Sequence, residues 1–82
     1  MSTNEILDGF AAIVSEVAGV DASSVTPEKS FADDLDLDSL TMVEVATAAE
    51  DQFSVRIPDA DLKHLKTVGD AVDFIAKAGV AA

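Results

Sequence analysis

The 82-residue chain has no cysteine, no tryptophan and no tyrosine, and it carries one histidine and two prolines. Without cysteine, neither a disulfide framework nor a thiolate metal site can staple a fold this small, so packing alone must stabilise it. With His64 as the single imidazole, acid–base and nucleophilic chemistry have few candidates. His64 lies between Lys63 and Lys66, the setting of a surface or loop-packing residue. Ser39, were His64 to activate it, lacks the glycine-flanked elbow that exposes a nucleophilic serine. The chain is therefore expected to catalyse nothing by itself. Basic residues are also scarce, five against sixteen acidic ones, for a formal net charge of −11. That balance repels nucleic-acid phosphates and anionic lipid and favours partners with basic surfaces. No stretch approaches the roughly 20 apolar residues that span a bilayer, so the chain is not expected to be membrane-embedded. Met1 to Glu5 holds no basic cluster ahead of an apolar run, and a cytoplasmic location is expected.

What is present is apolar and evenly spread. Hydrophobic residues make up 49% of the chain, enough for one core and too little chain for two, so residues 1–82 are expected to form a single domain with an ordered core over about 3–78. Ile6, Leu7, Phe10, Ile13, Val14 and Val17 recur at spacings of three and four and predict a helix from Thr3 to Ala18. Ser2 and Glu5 have the form of a capping box, and Gly19 suits a left-handed stop.

From Val20 to Leu37 the period is lost, although Val25, Phe31, Leu35 and Leu37 keep appearing, as in a long loop pinned to the core. Thr26 before Pro27 predicts a single helical turn. A second helix fits Ser39 to Asp51 with Asp38 as N-cap, and Leu40, Val43, Ala46 or Thr47, and Phe53 read as its buried stripe. Met42 and Val45 widen that apolar face, so some of it is expected to face outward. Phe53, Val55 and Ile57 alternate like a strand, but nothing else in the chain could pair with them. Pro58, Asp59 and Asp61 predict a short helix to about Leu65. Thr67 with Asp70 opens a last helix that buries Val68, Ala71, Val72 and Ile75, adjoins Phe74, and ends at Gly79 before a tail from Val80 to Ala82. The expected fold is all-α, a four-helix bundle of three main helices and one short one.

Asp34, Asp36 and Asp38 occupy the first three ligand positions of a calcium-binding helix-loop-helix loop, but that reading fails on spacing. Its sixth position is Ser39 instead of glycine and its twelfth is Val45 instead of glutamate. No resident metal is assigned. What remains is Ser39 at a helix N-terminus, directly after an acidic loop. Exposed N–H groups and the helix dipole accommodate a phosphodiester there. The neighbouring carboxylates can only raise the hydroxyl pKa, so Ser39 reads as an acceptor awaiting an outside catalyst.

Asp38-Ser39-Leu40 in this setting resembles the phosphopantetheine attachment motif of acyl carrier proteins. The likeness extends through Lys29-Ser30-Phe31, Asp38 to Glu44, Phe53 to Pro58 and Lys66-Thr67-Val68-Gly69-Asp70. It is closest to the discrete carriers of dissociated fatty acid synthases, and the run Asp33 to Leu40 with Met42-Val43-Glu44 looks like actinobacterial examples. Many members have glycine at the position of Asp36.

The resemblance implies that a phosphopantetheinyl transferase, with coenzyme A and magnesium, attaches 4'-phosphopantetheine covalently to Ser39, and that the arm's thiol carries acyl groups as thioesters. By the same likeness, Asp38 helps position the metal during that transfer. Leu40, Val43, Glu44, Thr47, Glu50 and Asp51 face partner enzymes with basic surfaces: ketosynthase, acyltransferase, ketoreductase, dehydratase and enoyl reductase. Most members carry an acid in place of Thr41 and a bulkier apolar residue in place of Thr47. Burying an acyl chain is worth about 0.8 kcal/mol per CH₂; candidate lining residues are Ala46, Ala49 and Ala71, with Ile57, Leu62 and Leu65. Ordinary helix packing accounts for the same alanines. A monomer is expected. A polyketide synthase carrier would share fold, arm and site, and an acidic adaptor regulated by phosphorylation of Ser39 or Thr41 is the alternative from another class.

Overall fold

The first helix, α1, runs from Thr3 to Ala18 and buries Ile6, Phe10, Ala11, Ile13 and Val14 along one stripe, with Leu7 and Val17 partly covered. In the computed structural model, residues 3–80 are described. The Ser2 half of the expected capping box lies outside them. Gly19 ends α1 as expected: its φ of +75° is left-handed, and its N–H donates to the Ser15 carbonyl at 3.0 Å.

The long connection that follows is built differently from expectation at its start. Its helical turn is a 3₁₀ turn at Ala22–Ser24. Thr26 and Pro27 form a tight turn instead, closed by the Lys29 N–H on the Thr26 carbonyl at 3.0 Å. One i→i+3 bond satisfies that turn, and no second bond extends it into a helix. Val25, Phe31, Leu35 and Leu37 are all buried, which pins the loop to the core. Phe31 meets Phe10 with ring centroids 5.9 Å apart and planes inclined by 60°, an arrangement aromatic pairs favour.

The second helix, α2, spans Ser39–Phe53. Its buried residues are Val45, Ala46 and Ala49, so the stripe expected on Leu40 and Val43 is wrongly phased. Leu40 is 69% and Val43 45% exposed. The helix is apolar on too many sides for its period to identify the buried one. Ser54 closes it with φ +54°, its N–H donating to the Glu50 carbonyl.

A short α3 covers Asp59–Leu62, ending three residues before the expected limit. Pro58 caps it from outside: its carbonyl accepts from the Asp61 and Leu62 N–H groups at 2.9 Å each. The last helix, α4, spans Val68–Val80 and buries Val68, Ala71, Val72 and Ile75, with Phe74 half-buried. Thr67 and Asp70 form the expected reciprocal cap, with both bonds at 3.2 Å. The helix does not stop at Gly79 but continues to Val80.

Helix α1 packs against both α2 and α4, and the core lies between them. Among the described residues there is no strand, and the segment after α2, from Val55 to Pro58, is irregular with Val55 and Ile57 buried. One isolated antiparallel bridge pairs Ser30 with Thr67. The Phe31 N–H donates to Lys66 at 3.0 Å, and the Val68 N–H donates to Lys29 at 2.9 Å. Next to this ladder, the Gly69 N–H donates to the Pro27 carbonyl at 2.9 Å. A Cβ at Gly69 would sit 3.0 Å from that oxygen, so the close approach requires glycine. The architecture is an all-α bundle in which the long loop is tied to the α3–α4 connector.

Candidate functional site

The ladder brings the acidic loop and the α3–α4 connector together beside the start of α2. Within the loop, the Ser30 N–H donates to the Asp34 carboxylate at 2.8 Å and the Asp33 N–H to the Ser30 hydroxyl at 2.9 Å. Leu35 and Leu37 turn inward, and the Leu37 N–H donates to the Phe31 carbonyl at 2.8 Å. Asp36, between the two leucines, takes φ +55°. The kink delivers Asp38 to the N-terminus of α2.

Asp38 is the N-cap: its carboxylate accepts from the Thr41 N–H at 2.8 Å. That backbone bond, and next the Thr41 hydroxyl, hold the Asp38 carboxyl below the usual aspartate range. Ser39 is the first residue of the helix and is exposed. Its hydroxyl has no hydrogen-bond partner among the described residues, so nothing there activates it and nothing blocks it. A phosphodiester formed on this oxygen would lie over the first N–H groups of a 15-residue helix.

Ser39 opens onto a groove of about 590 Å³ between the loop, the start of α2, and α3 with its connector. Phe31, Leu37, Met42, Val43, Leu62 and Leu65 supply apolar lining, and Asp33, Asp38, Asp59, Lys63 and Lys66 supply charge. Of the residues expected around an acyl chain, Leu62 and Leu65 line this groove. Ala46, Ala49, Ile57 and Ala71 lie in the buried core and do not line the groove.

Leu40, Val43, Glu44, Thr47 and Asp51 are exposed along one side of α2. Val43, Glu44, Thr47 and Asp51 also border a shallow depression of about 690 Å³ with Val17 and Ala48. Thr47 donates its hydroxyl back to the Val43 carbonyl at 2.9 Å, which leaves its methyl group and acceptor lone pairs on the exposed side. Glu50 stands apart from this set. It is half-buried, and its carboxylate accepts from the Ile57 N–H at 2.6 Å, so it clips the loop after α2 to the helix. His64 is exposed. Among the described residues no group of three or more His, Asp or Glu side chains is arranged to hold a metal ion.

The groove's cationic side and the Glu50 clip were not read from sequence. Both join residues whose proximity depends on how the connector folds, and no local spacing signals either.

Residues 8–75 match the phosphopantetheine attachment site family. The whole chain is 65% identical, over 82 residues and 98% of the relative's length, to an acyl carrier protein of Acidothermus cellulolyticus. The chain belongs to the acyl carrier protein family. It is likewise 63% identical over 76 residues to an acyl carrier protein of Thermobifida fusca, covering 93% of this chain and 96% of that one. Against a meromycolate extension acyl carrier protein of Mycolicibacterium aurum the identity is 58% over 76 residues, 93% of this chain and 78% of the relative. A solved acyl carrier protein from Enterococcus faecalis superposes with a TM-score of 0.78 at 36% identity, covering 95% of this chain and 99% of that one. The actinobacterial likeness and the four-helix expectation agree with these matches. An acyl carrier protein holds its cargo on a covalent 4'-phosphopantetheine, and the start of α2 fits that group: a free hydroxyl, an anion-compatible helix end and an adjoining groove. No described helix of this carrier is long and apolar enough to cross a membrane.

Proposed function

We propose that Ser39 carries the phosphopantetheine arm and that the chain delivers acyl thioesters to the enzymes of fatty acid synthesis. The observation that supports this most is the exposed Ser39 hydroxyl, without a hydrogen-bond partner among the described residues, at the Asp38-capped N-terminus of α2 and at the mouth of the groove. The arm, once attached, supplies a thiol that holds acyl groups as thioesters. Every other contribution comes from the protein. The helix end stabilises the phosphodiester. Asp38, whose carboxyl stays ionised in mildly acidic solution, helps position magnesium while the phosphopantetheinyl transferase works.

Leu40, Val43, Glu44 and Asp51 form the face that meets basic-surfaced acyl-processing enzymes: ketosynthase, acyltransferase, ketoreductase, dehydratase and enoyl reductase. Exposed ion pairs contribute roughly 0–1 kcal/mol each and are screened by salt, so docking is weak and partners exchange quickly. The tether compensates, raising the cargo's concentration at a docked enzyme to about the millimolar range. The carrier acts as a cytoplasmic monomer and catalyses nothing itself.

Incubating the apo chain with coenzyme A, magnesium and a broad-specificity phosphopantetheinyl transferase tests the attachment. A phosphopantetheine mass gain in the wild type and none in Ser39→Ala is expected; a gain that persists in Ser39→Ala sinks the assignment. Transfer of malonyl and longer acyl groups onto the loaded chain by fatty acid synthesis enzymes then tests the pathway.

A further inference from the structure

The groove beside Ser39 is electrically lopsided. Two of the chain's five basic residues, Lys63 and Lys66, line its α3-connector side. Asp33 and Asp38 line the loop and α2 side, and Asp59 stands at the start of α3. The Asp38 carboxylate is occupied by its cap on the Thr41 N–H. The ion pair formed among the described residues joins Lys77 to Asp73 on α4, and neither Lys63 nor Lys66 has a carboxylate partner there. Lys63 and Lys66, without a carboxylate partner among the described residues, thus share one side of the groove with Asp59 in a chain of net charge −11.

The backbone fixes where they stand. Lys66 is held by the ladder, through its carbonyl to the Phe31 N–H at 3.0 Å, and the Lys63 N–H donates to the Asp59 carbonyl at 3.2 Å. The loop whose far end is Ser39 is therefore fastened to the segment that carries the cations. The wall is part of the folded frame of the groove.

We propose that Lys63 and Lys66 are the anion-holding wall of this groove and retain a negatively charged group tethered to Ser39. This rests on the attachment of the arm at Ser39 proposed above. An anion on such a tether is repelled from Asp33 and Asp38 and drawn toward Lys63 and Lys66, the two cations that line the α3-connector side together with Asp59. Because it is tethered, its effective concentration is about millimolar, and weak individual contacts suffice to bias its position. Two parts of the loaded carrier have the required charge: the phosphodiester of the arm, and the terminal carboxylate of a dicarboxylic acyl cargo. The apolar lining from Leu62 and Leu65 serves an uncharged chain equally well, so the lysines distinguish cargo by charge.

The test uses the full chain, apo, holo, acetyl-loaded and malonyl-loaded, with loading at Ser39 verified by mass. Side-chain Cε–Hε resonances of the lysines are followed by NMR, with Lys77 as the reference. If the cargo carboxylate is the anion, malonyl loading is expected to move Lys63 and Lys66 at least about twofold more than acetyl loading. If the phosphodiester is the anion, the apo-to-holo step moves them and malonyl adds nothing. In both cases 0.5 M salt shrinks the shift, and a Lys63→Gln, Lys66→Gln double variant, folded by its amide spectrum, loses the matching shift of the phosphorus or of the 13C-labelled malonyl carboxylate. Lysine shifts no larger than those of Lys77 in every state, with Ser39 loaded, overturn the anion wall alone. Failure to load Ser39 overturns the attachment reading, and the wall with it.

Discussion

Asp36 sits between two buried leucines with φ +55°, a conformation that costs an L-residue roughly 1–2 kcal/mol and that glycine adopts freely. The greater freedom of glycine in the unfolded chain offsets part of that gain. Asp36→Gly should therefore stabilise the fold by about 0.5–1 kcal/mol in urea titrations, aided by loss of one negative charge; an unchanged or lower midpoint would contradict this reading of the kink. Two residues on, Asp38 provides a pH-dependent contribution. Its folded carboxyl is held below its ordinary value by the Thr41 N–H and then the Thr41 hydroxyl. Its contribution is thus complete above the unfolded aspartate value of about 3.9 and is lost as pH falls through the lower folded value. Between pH 5 and pH 3, wild type should lose more stability than Asp38→Asn, whose amide caps the helix without titrating. Equal losses in the two proteins would show that the cap carries no charge-dependent part. Ser39 needs the fold only to present its hydroxyl, and its place at the start of α2 behind the Asp38 cap was legible from local spacing, without any knowledge of its surroundings.

Among the elements, α1 and α4 were legible because each has one apolar stripe and polar residues elsewhere. Their buried sets follow the three-four spacing closely. In α2, Leu40, Met42, Val43, Val45, Ala46 and Ala49 cover most of the helix circumference, so spacing alone could not choose which side meets the core. The structure chooses Val45, Ala46 and Ala49 and leaves Leu40 and Val43 outside. The loop's ladder to the connector was not legible at all, since a single bridge between Ser30 and Thr67 has no strand pattern. Glu50 illustrates the same limit: helix position groups it with Glu44, while the structure binds it to the Ile57 N–H. Hydrogen bonds to charged groups contribute about 1.5–3 kcal/mol. Glu50→Ala should accordingly cost about 1–2 kcal/mol of stability, whereas exposed Glu44→Lys should stay within about 0.5 kcal/mol of wild type and instead slow turnover by partner enzymes at low salt. Equal stability effects from the two substitutions would remove the clip from the description.

For the whole molecule, a net charge of −11 on 82 residues means that the folded state resists its own repulsion. Raising salt from about 10 mM to 150 mM shortens the screening length from roughly 30 Å to 8 Å. The melting temperature should rise over that interval, while transfer to basic-surfaced partners should slow. A melting temperature that falls with salt would mean that attractive pairs outweigh the repulsion. The bundle leaves the acidic side of α2 and Ser39 exposed together, the arrangement on which the proposed docking to basic surfaces rests. The most direct measurement is fragment mass spectrometry of the tryptic peptide 30–56, after loading with coenzyme A and a phosphopantetheinyl transferase. That peptide contains Ser30, Ser39 and Ser54 and no internal lysine or arginine before Arg56. The arm is expected on Ser39 alone; an arm on Ser30 or Ser54, or an unmodified peptide, would contradict the assignment of Ser39.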